Sequence, residues 1–215
     1  DLTYASFYEL LYYPAVASMN QIQMQLSGGR NLLYARQGRI EANEYAAAVL
    51  KCIEREKELQ QIYHSIADSK WDGMMMSEHV GFVHWNDEEC TYPLQCYVTP
   101  ANKPRMIVAP ACGEEYTMGG DWTRKTIYLE DFLNPKCTEI SLDIANGGRV
   151  PFTYTAECDA DWVVLSQTKG EVLVTDKLLL TIDRKNLSGI SGIQTAHLCI
   201  KTDFAKVNVE ISGCD

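Results

Sequence analysis

The sequence predicts an α+β protein of two domains, an N-terminal antiparallel helical bundle followed by an immunoglobulin-like all-β sandwich. Three observations carry this expectation. Up to about residue 67 the apolar residues recur at three- and four-residue spacings, and from about Tyr92 onward they alternate in twos. Between the two patterns lies 70–85, KWDGMMMSEHVGFVHW, too crowded with apolar side chains for an ordinary loop. The expected boundaries are a helical domain over 1–90, with an aromatic and Met-rich seam at 70–85, and a sandwich over 91–215 whose start, 91–125, is irregular.

Over 3–26 the helical period is supplied by Phe7, Leu10, Leu11, Met19, Ile22 and Leu26. Pro14 lacks an N–H and clashes with the preceding turn, so it is expected to kink or split this helix. Gly28-Gly29 reads as its stop, with a short helical piece over 31–37 beyond. The strongest helix is expected over 43–67. There Tyr45, Val49, Cys52, Glu56, Leu59, Tyr63 and Ile66 alternate four and three apart, interrupted in character only by Glu56. Ala46, Ala47 and Ala48 favour helix, and Asn43 suits an N-cap. One apolar seam of this kind calls for partner helices, and hence a small antiparallel bundle.

In the second half Ile140, Leu142 and Ile144 alternate with polar residues up to Asn146-Gly147-Gly148. That triplet reads as a tight turn, with Phe152 and Tyr154 on the returning strand. Trp162, Val164 and Leu165 form a short strand before a turn at Lys169-Gly170, and Leu178, Leu180 and Ile182 form another. Residues 186–192 read as a loop. Leu198 and Ile200, then Val207, Val209 and Ile211, give the last two strands. Short strands at this spacing suit an immunoglobulin-like sandwich. Pro93, Pro100, Pro104 and Pro110 break up the region before it, where 106–109 and 126–129 are candidate strands.

Each tryptophan or phenylalanine buries on the order of 150–250 Å², so the seam residues Trp71, Met75, His79, Phe82 and Trp85 are expected to dock one domain on the other. His79 and His84 are five apart, off the i, i+4 ligand spacing of a helix. In so aromatic a segment they read as packed residues with a satisfied N–H, and Asp87, Glu88 and Glu89 as a solvated loop. No C-x-x-C pair occurs among the eight cysteines, which excludes the familiar zinc-knuckle and thioredoxin patterns. Cys90 with Cys96, and Cys158 with Cys199, could pair, whereas Cys52 and Cys158 lie where a thiol acts as a small hydrophobe. Reduced, structural thiols are the preferred reading.

The net charge of −10, with scattered Lys and Arg, argues against nucleic acid as a partner. No run of about 18 apolar residues encodes a membrane span. Neither a metal nor a cofactor is expected. Glu114-Glu115, Glu130-Asp131 and Asp159/Asp161 have no spacing that selects a glycosidase carboxylate pair. No G-x-S-x-G occurs, and the glycine pairs lack a phosphate-loop pattern. No catalytic residue is therefore assigned. Trp122, Tyr116 and Tyr128 flank a glycine-containing stretch and are candidate rings for carbohydrate stacking.

Several segments together resemble the C-terminal, post-barrel part of glycoside hydrolase family 115, the α-glucuronidases that act on glucuronoxylan. They are Phe7-Tyr8-Glu9-Leu10 with Tyr13-Pro14 and Ala17-Ser18, then Asn31-Leu32-Leu33-Tyr34-Ala35 with Gln37-Gly38-Arg39. Ala42-Asn43 with Tyr45-Ala46, Lys70-Trp71, Met74-Met75 and His79-Val80-Gly81-Phe82 with Trp85 complete the set. This resemblance covers about residues 4–95. Over Ile144-Ala145-Asn146-Gly147-Gly148, Phe152 and Asp161-Trp162 the chain resembles a sandwich that closes such enzymes, and also immunoglobulin-like modules of gut bacterial proteins generally. The resemblance implies an accessory region whose partner is an upstream catalytic (β/α)8 barrel that this chain does not contain. It also implies homodimer assembly, an indirect relation to xylan-type polysaccharide and a secreted, periplasmic or cell-surface place in a bacterium. The chain by itself is then expected to be inactive, with a carbohydrate-binding module or surface interaction domain as the alternative.

Overall fold

The computed structural model describes residues 2–77, 80–81, 90–120, 126–187 and 192–214. The protein is α+β, with an N-terminal helical region followed by two mostly antiparallel sheets. It divides into two compact units: a helical unit, Asp1–Leu32 with Ala42–Tyr97, and a β unit, Leu33–Glu41 with Val98–Asp215.

In the helical unit, α1 (Leu2–Phe7) passes through a π turn (Tyr8–Tyr12) into α2 (Tyr13–Gln37), and α3 (Ala42–Ser65) follows. The effect expected of Pro14 is realised as this π turn: the Tyr13 N–H donates to the Tyr8 carbonyl five residues back, just before a residue with no N–H to give. The wider turn puts Tyr8 and Tyr13 on one face, where they pack with Leu59 and Tyr63 of α3. The Tyr8 hydroxyl donates to the Leu59 carbonyl (3.3 Å), and the Tyr13 and Tyr63 rings lie 4.8 Å apart.

Two expectations for this region are corrected. Gly28-Gly29 does not stop the helix, and 31–37 is no separate piece, because α2 runs unbroken to Gln37. Gly28 is a packing notch: a Cβ there would come within 2.6 Å of the Pro93 side chain. The helix is tied down further on by the buried Asn31, whose amide donates to the carbonyls of Ala42 (2.7 Å) and Cys96 (2.8 Å) while its oxygen accepts from the Cys96 N–H (2.7 Å). The second correction concerns which way the helix faces. Ala5, Tyr8, Tyr13, Asn20, Met24, Ser27 and Asn31 point inward, and the residues that carry the helical period point out.

Helix α3 follows its sequence pattern more closely. Its buried face is Ala42, Ala46, Val49, Cys52, Glu56, Leu59 and Tyr63, so Glu56 is not a break in the seam but a buried member of it. Met24, Val49, Cys52 and Val80 form a second small cluster, and the Asn20 amide closes the neighbouring backbone by donating to the Cys52 carbonyl (2.9 Å).

The β unit has strands β1 (Met106–Pro110), β2 (Ile127–Phe132), β3 (Glu139–Asn146), β4 (Phe152–Cys158), β5 (Val163–Leu165), β6 (Lys169–Val172), β7 (Thr175–Ile182), β8 (Gln194–Lys201) and β9 (Lys206–Gly213). One sheet has the order β1-β3-β7-β5 and the other β2-β9-β8-β4-β6; among these described strands β2 and β9 pair in parallel and the other neighbours are antiparallel. Inward residues from both sheets form one core that includes Phe132, Leu142, Ile144, Tyr154, Leu180 and Ile211. The period-2 residues expected on β7, β8 and β9 are all buried in it, as period-2 burial on one sheet face requires.

Three details of the β reading change. The stretch after β3 is not a hairpin: β3 pairs with β1 and β7, whereas β4 pairs with β6 and β8 in the other sheet. The buried Asn146 side chain fixes this crossover by accepting from Gly148 N (2.8 Å) and donating to the Val150 (2.9 Å) and Leu173 (3.3 Å) carbonyls. On β5 the inward residue is Val163 and Val164 faces out. Lys169-Gly170, expected as a turn, opens strand β6. All eight cysteines are free thiols.

Leu33–Glu41 belongs to the β unit through Arg39, which is only 1% exposed. Its guanidinium bonds Asp143 Oδ2 (3.0 Å) and Glu41 Oε2 (2.6 Å) and stacks 3.8 Å from the centre of the Tyr34 ring. Glu41 accepts also from Thr175 (2.6 Å), and Ile40 N donates to the Asn146 carbonyl (3.0 Å).

Burial raises the pKa of a phenol in each unit. It is the first cause raising the phenols of Tyr13 and Tyr154 to about 12, from the ordinary value of 10.0. Glu56, Tyr63 and Tyr8 push Tyr13 the same way. At Tyr154, Asp176 adds to the rise and Gln167 opposes it. Each folded phenol holds its proton more tightly than the unfolded one, so its contribution is complete below pH 10 and is lost as the pH climbs toward 12. Tyrosinate absorbance and circular dichroism recorded together should show late-titrating tyrosines ionising only as the fold is lost. Complete ionisation near pH 10 with the fold intact would refute this.

Candidate functional site

Of the five seam residues, His79, Phe82 and Trp85 lie outside the described residues. Trp71 is 37% exposed, with the Lys70 ammonium 4.8 Å from its ring centre. Met75 is half-buried against the Tyr8, Tyr13, Leu59 and Tyr63 cluster, and its N–H donates to Nε2 of His64 (3.1 Å). This fixes a hydrogen-accepting tautomer at that nitrogen. Met74 and Met76 are exposed.

Among the carbohydrate candidates, Trp122 lies outside the described residues. Tyr116 is half-buried in the loop that leads back along β1, and Tyr128 stands 59% exposed on the edge strand β2. Of the two candidate rings among the described residues, Tyr128 is therefore the open one.

The acidic pairs weighed in the sequence remain surface groups. Glu114, Glu115, Glu130, Asp131, Asp159 and Asp161 are exposed. Asp159 does form a defined contact with His197: its carboxylate accepts from the His197 N–H (2.7 Å) and lies 2.9 Å from the ring Nδ1. The backbone N–H of His197 is the first cause holding this carboxyl below its usual range. Among the described residues no group of three His, Cys, Asp or Glu side chains could hold a metal ion, and no helix is long and apolar enough to cross a membrane.

The feature that sequence reading located but pointed the wrong way is the outer face of α1 and α2. Tyr4, Phe7, Leu10, Leu11, Met19, Ile22 and Leu26 are all more than half exposed, Leu10 reaching 73%. They recur along the helix, whereas the inward face mixes Tyr8, Tyr13 and Met24 with the small and polar Ala5, Asn20, Ser27 and Asn31. The helix thus carries large apolar side chains on its solvent side as well as its inner one. Scattered exposed apolar residues are normal, but a contiguous patch beyond a few hundred Å² marks an interaction site.

No family model matches the chain, and no curated protein matches it. Solved structures match parts of the chain at low identity and low TM-score. A Bacteroides ovatus GH5 xyloglucanase, in complex with a XXXG heptasaccharide, is 13% identical over 49% of this chain and 19% of its own, with a TM-score of 0.30. The E. coli chaperone DraB is 10% identical over 41% of this chain and 50% of its own (TM-score 0.31). A FixG-related protein from Vibrio parahaemolyticus is 15% identical over 53% of this chain and 97% of its own (TM-score 0.31). The chain thus spans about a fifth of the xyloglucanase and half of the chaperone.

Proposed function

We propose that this chain is a noncatalytic region of a xylan-degrading α-glucuronidase of the glycoside hydrolase family 115 kind. In this reading its helical bundle and immunoglobulin-like sandwich support the catalytic barrel and dimer assembly. The observation that carries the proposal is the exposed apolar face of the first helical stretch, which lies within the 4–95 region of the resemblance and shares Phe7 and Leu10 with its resembling residues. Its seven leading side chains are each more than half exposed, and exposed apolar surface that forms a patch marks an interaction site. The alternative, a carbohydrate-binding or surface interaction domain, is favoured by the open ring of Tyr128 alone.

The chain alone should release no glucuronic acid from glucuronoxylan oligomers, and release at an enzyme-like rate with contamination excluded would sink the assignment. With the barrel absent, the apolar face is expected to drive self-association measurable by sedimentation. Lysine at both Leu10 and Ile22 should weaken that association at least tenfold. Because both side chains point to solvent, the melting curve should move little. A double variant that associates like the parent would remove this face from the proposal.

A further inference from the structure

The β unit holds a pocket of about 490 Å³, within the range of small-molecule sites. Its walls come from three distant segments: Lys103 and Arg105 leading into β1, Met118 and Gly119 after the bridge that pairs Thr117 with Val108, and Phe204 in the turn between β8 and β9. Met106 supplies apolar floor. Two of these walls are held in place by close packing and hydrogen bonds. Gly119 lies against the Lys206 backbone, closely enough that a Cβ would collide with it. The β8–β9 turn is fixed by Thr202, whose hydroxyl accepts from Phe204 N (3.2 Å) and Ala205 N (2.9 Å). The Phe204 ring meets Phe152 edge-on at 5.5 Å and remains 39% exposed.

The charge at this pocket runs against the rest of the molecule. On a chain of net charge −10, Lys103 and Arg105 have no carboxylate within ion-pair distance among the described residues. Asp203, beside Phe204 in sequence, is exposed and does not line the pocket. A planar guanidinium binds a carboxylate through paired N–H donors, and an ammonium adds a point charge. Met106, Met118 and Phe204 offer an apolar surface for a flat ring beside those donors. We propose that this pocket binds a carboxylate carried on a six-membered ring. A uronic acid and an aromatic acid share that chemistry. The inference rests on the pocket alone, so the outcome of the glucuronidase assay does not bear on it.

Titration calorimetry of the full chain tests it with two matched pairs, glucuronate against glucose and benzoate against benzyl alcohol. At least one acid should bind, with its neutral counterpart at least tenfold weaker. The acid that binds more tightly identifies the source, sugar or aromatic. Arg105→Gln should lower the affinity of that acid about tenfold; Arg105 is exposed and its backbone N–H bond to Asn146 is kept, so the fold survives. Phe204→Ala should also weaken binding, and a higher ionic strength should weaken binding to the parent chain. The proposal is overturned if neither acid binds, if the neutral compounds bind equally well, or if Arg105→Gln binds as tightly as the parent.

Discussion

Arg39→Ala should destabilise the β unit by about 3–5 kcal/mol, the usual cost of removing one partner from a buried ion pair. The reason is what stays behind. Asp143 would keep a buried carboxylate with no guanidinium beside it, and Glu41 would lose its 2.6 Å partner. The stacking on Tyr34 would be lost as well. Against a typical total of about 5–15 kcal/mol, this is a large fraction. Denaturant unfolding followed by circular dichroism measures it, and a loss below about 1 kcal/mol would show that water reaches the site. Removing the charges together gives the complementary result. Arg39→Met combined with Asp143→Leu and Glu41→Gln should recover much of the loss, because apolar replacement of a whole buried ionic group is often close to neutral.

Trp162→Ala is the second large effect, also about 3–5 kcal/mol, from lost transfer energy and the cavity left behind. Trp162 is buried in the core shared by both sheets, and its carbonyl accepts from the Asp183 N–H (2.8 Å). The contrast is Trp71→Ala. That ring is more than a third exposed, so its truncation should cost clearly less in the same measurement. Equal losses for the two variants would contradict the burial described for both.

The sequence made the strands legible because each buries one face, so a period of two carries direction as well as identity. Leu178, Leu180 and Ile182 point inward because their alternation can be satisfied only one way. The first helix was legible as a helix but not in its orientation. Reading apolar residues as inward assumes that the apolar side is covered, and here Phe7, Leu10, Met19 and Ile22 lie on the uncovered side. Beside Tyr8, Tyr13 and Met24, the inward side packs by smallness and by hydrogen bonds, through Ala5, Asn20, Ser27, Gly28 and Asn31, none of which advertises burial. Arg39 was invisible for a similar reason. A charged residue in a short loop reads as solvated, and its partners Asp143 and Thr175 lie more than a hundred residues away. The pocket at Lys103, Arg105 and Phe204 has the same origin, since pairing of β8 with β9 places the Phe204 turn and no local pattern announces it.

The membership of Leu33–Glu41 in the β unit has a consequence for how this protein could be inherited or dissected. A fold that a genome shuffles freely is written as one uninterrupted stretch of gene. This one is not: a copy beginning at Val98 would omit the strap that carries Arg39, and would leave Asp143 buried beside nothing of opposite sign. The β portion is written in two separated stretches of sequence, so it cannot be transplanted as a cassette without taking along the end of α2 and the loop that follows it.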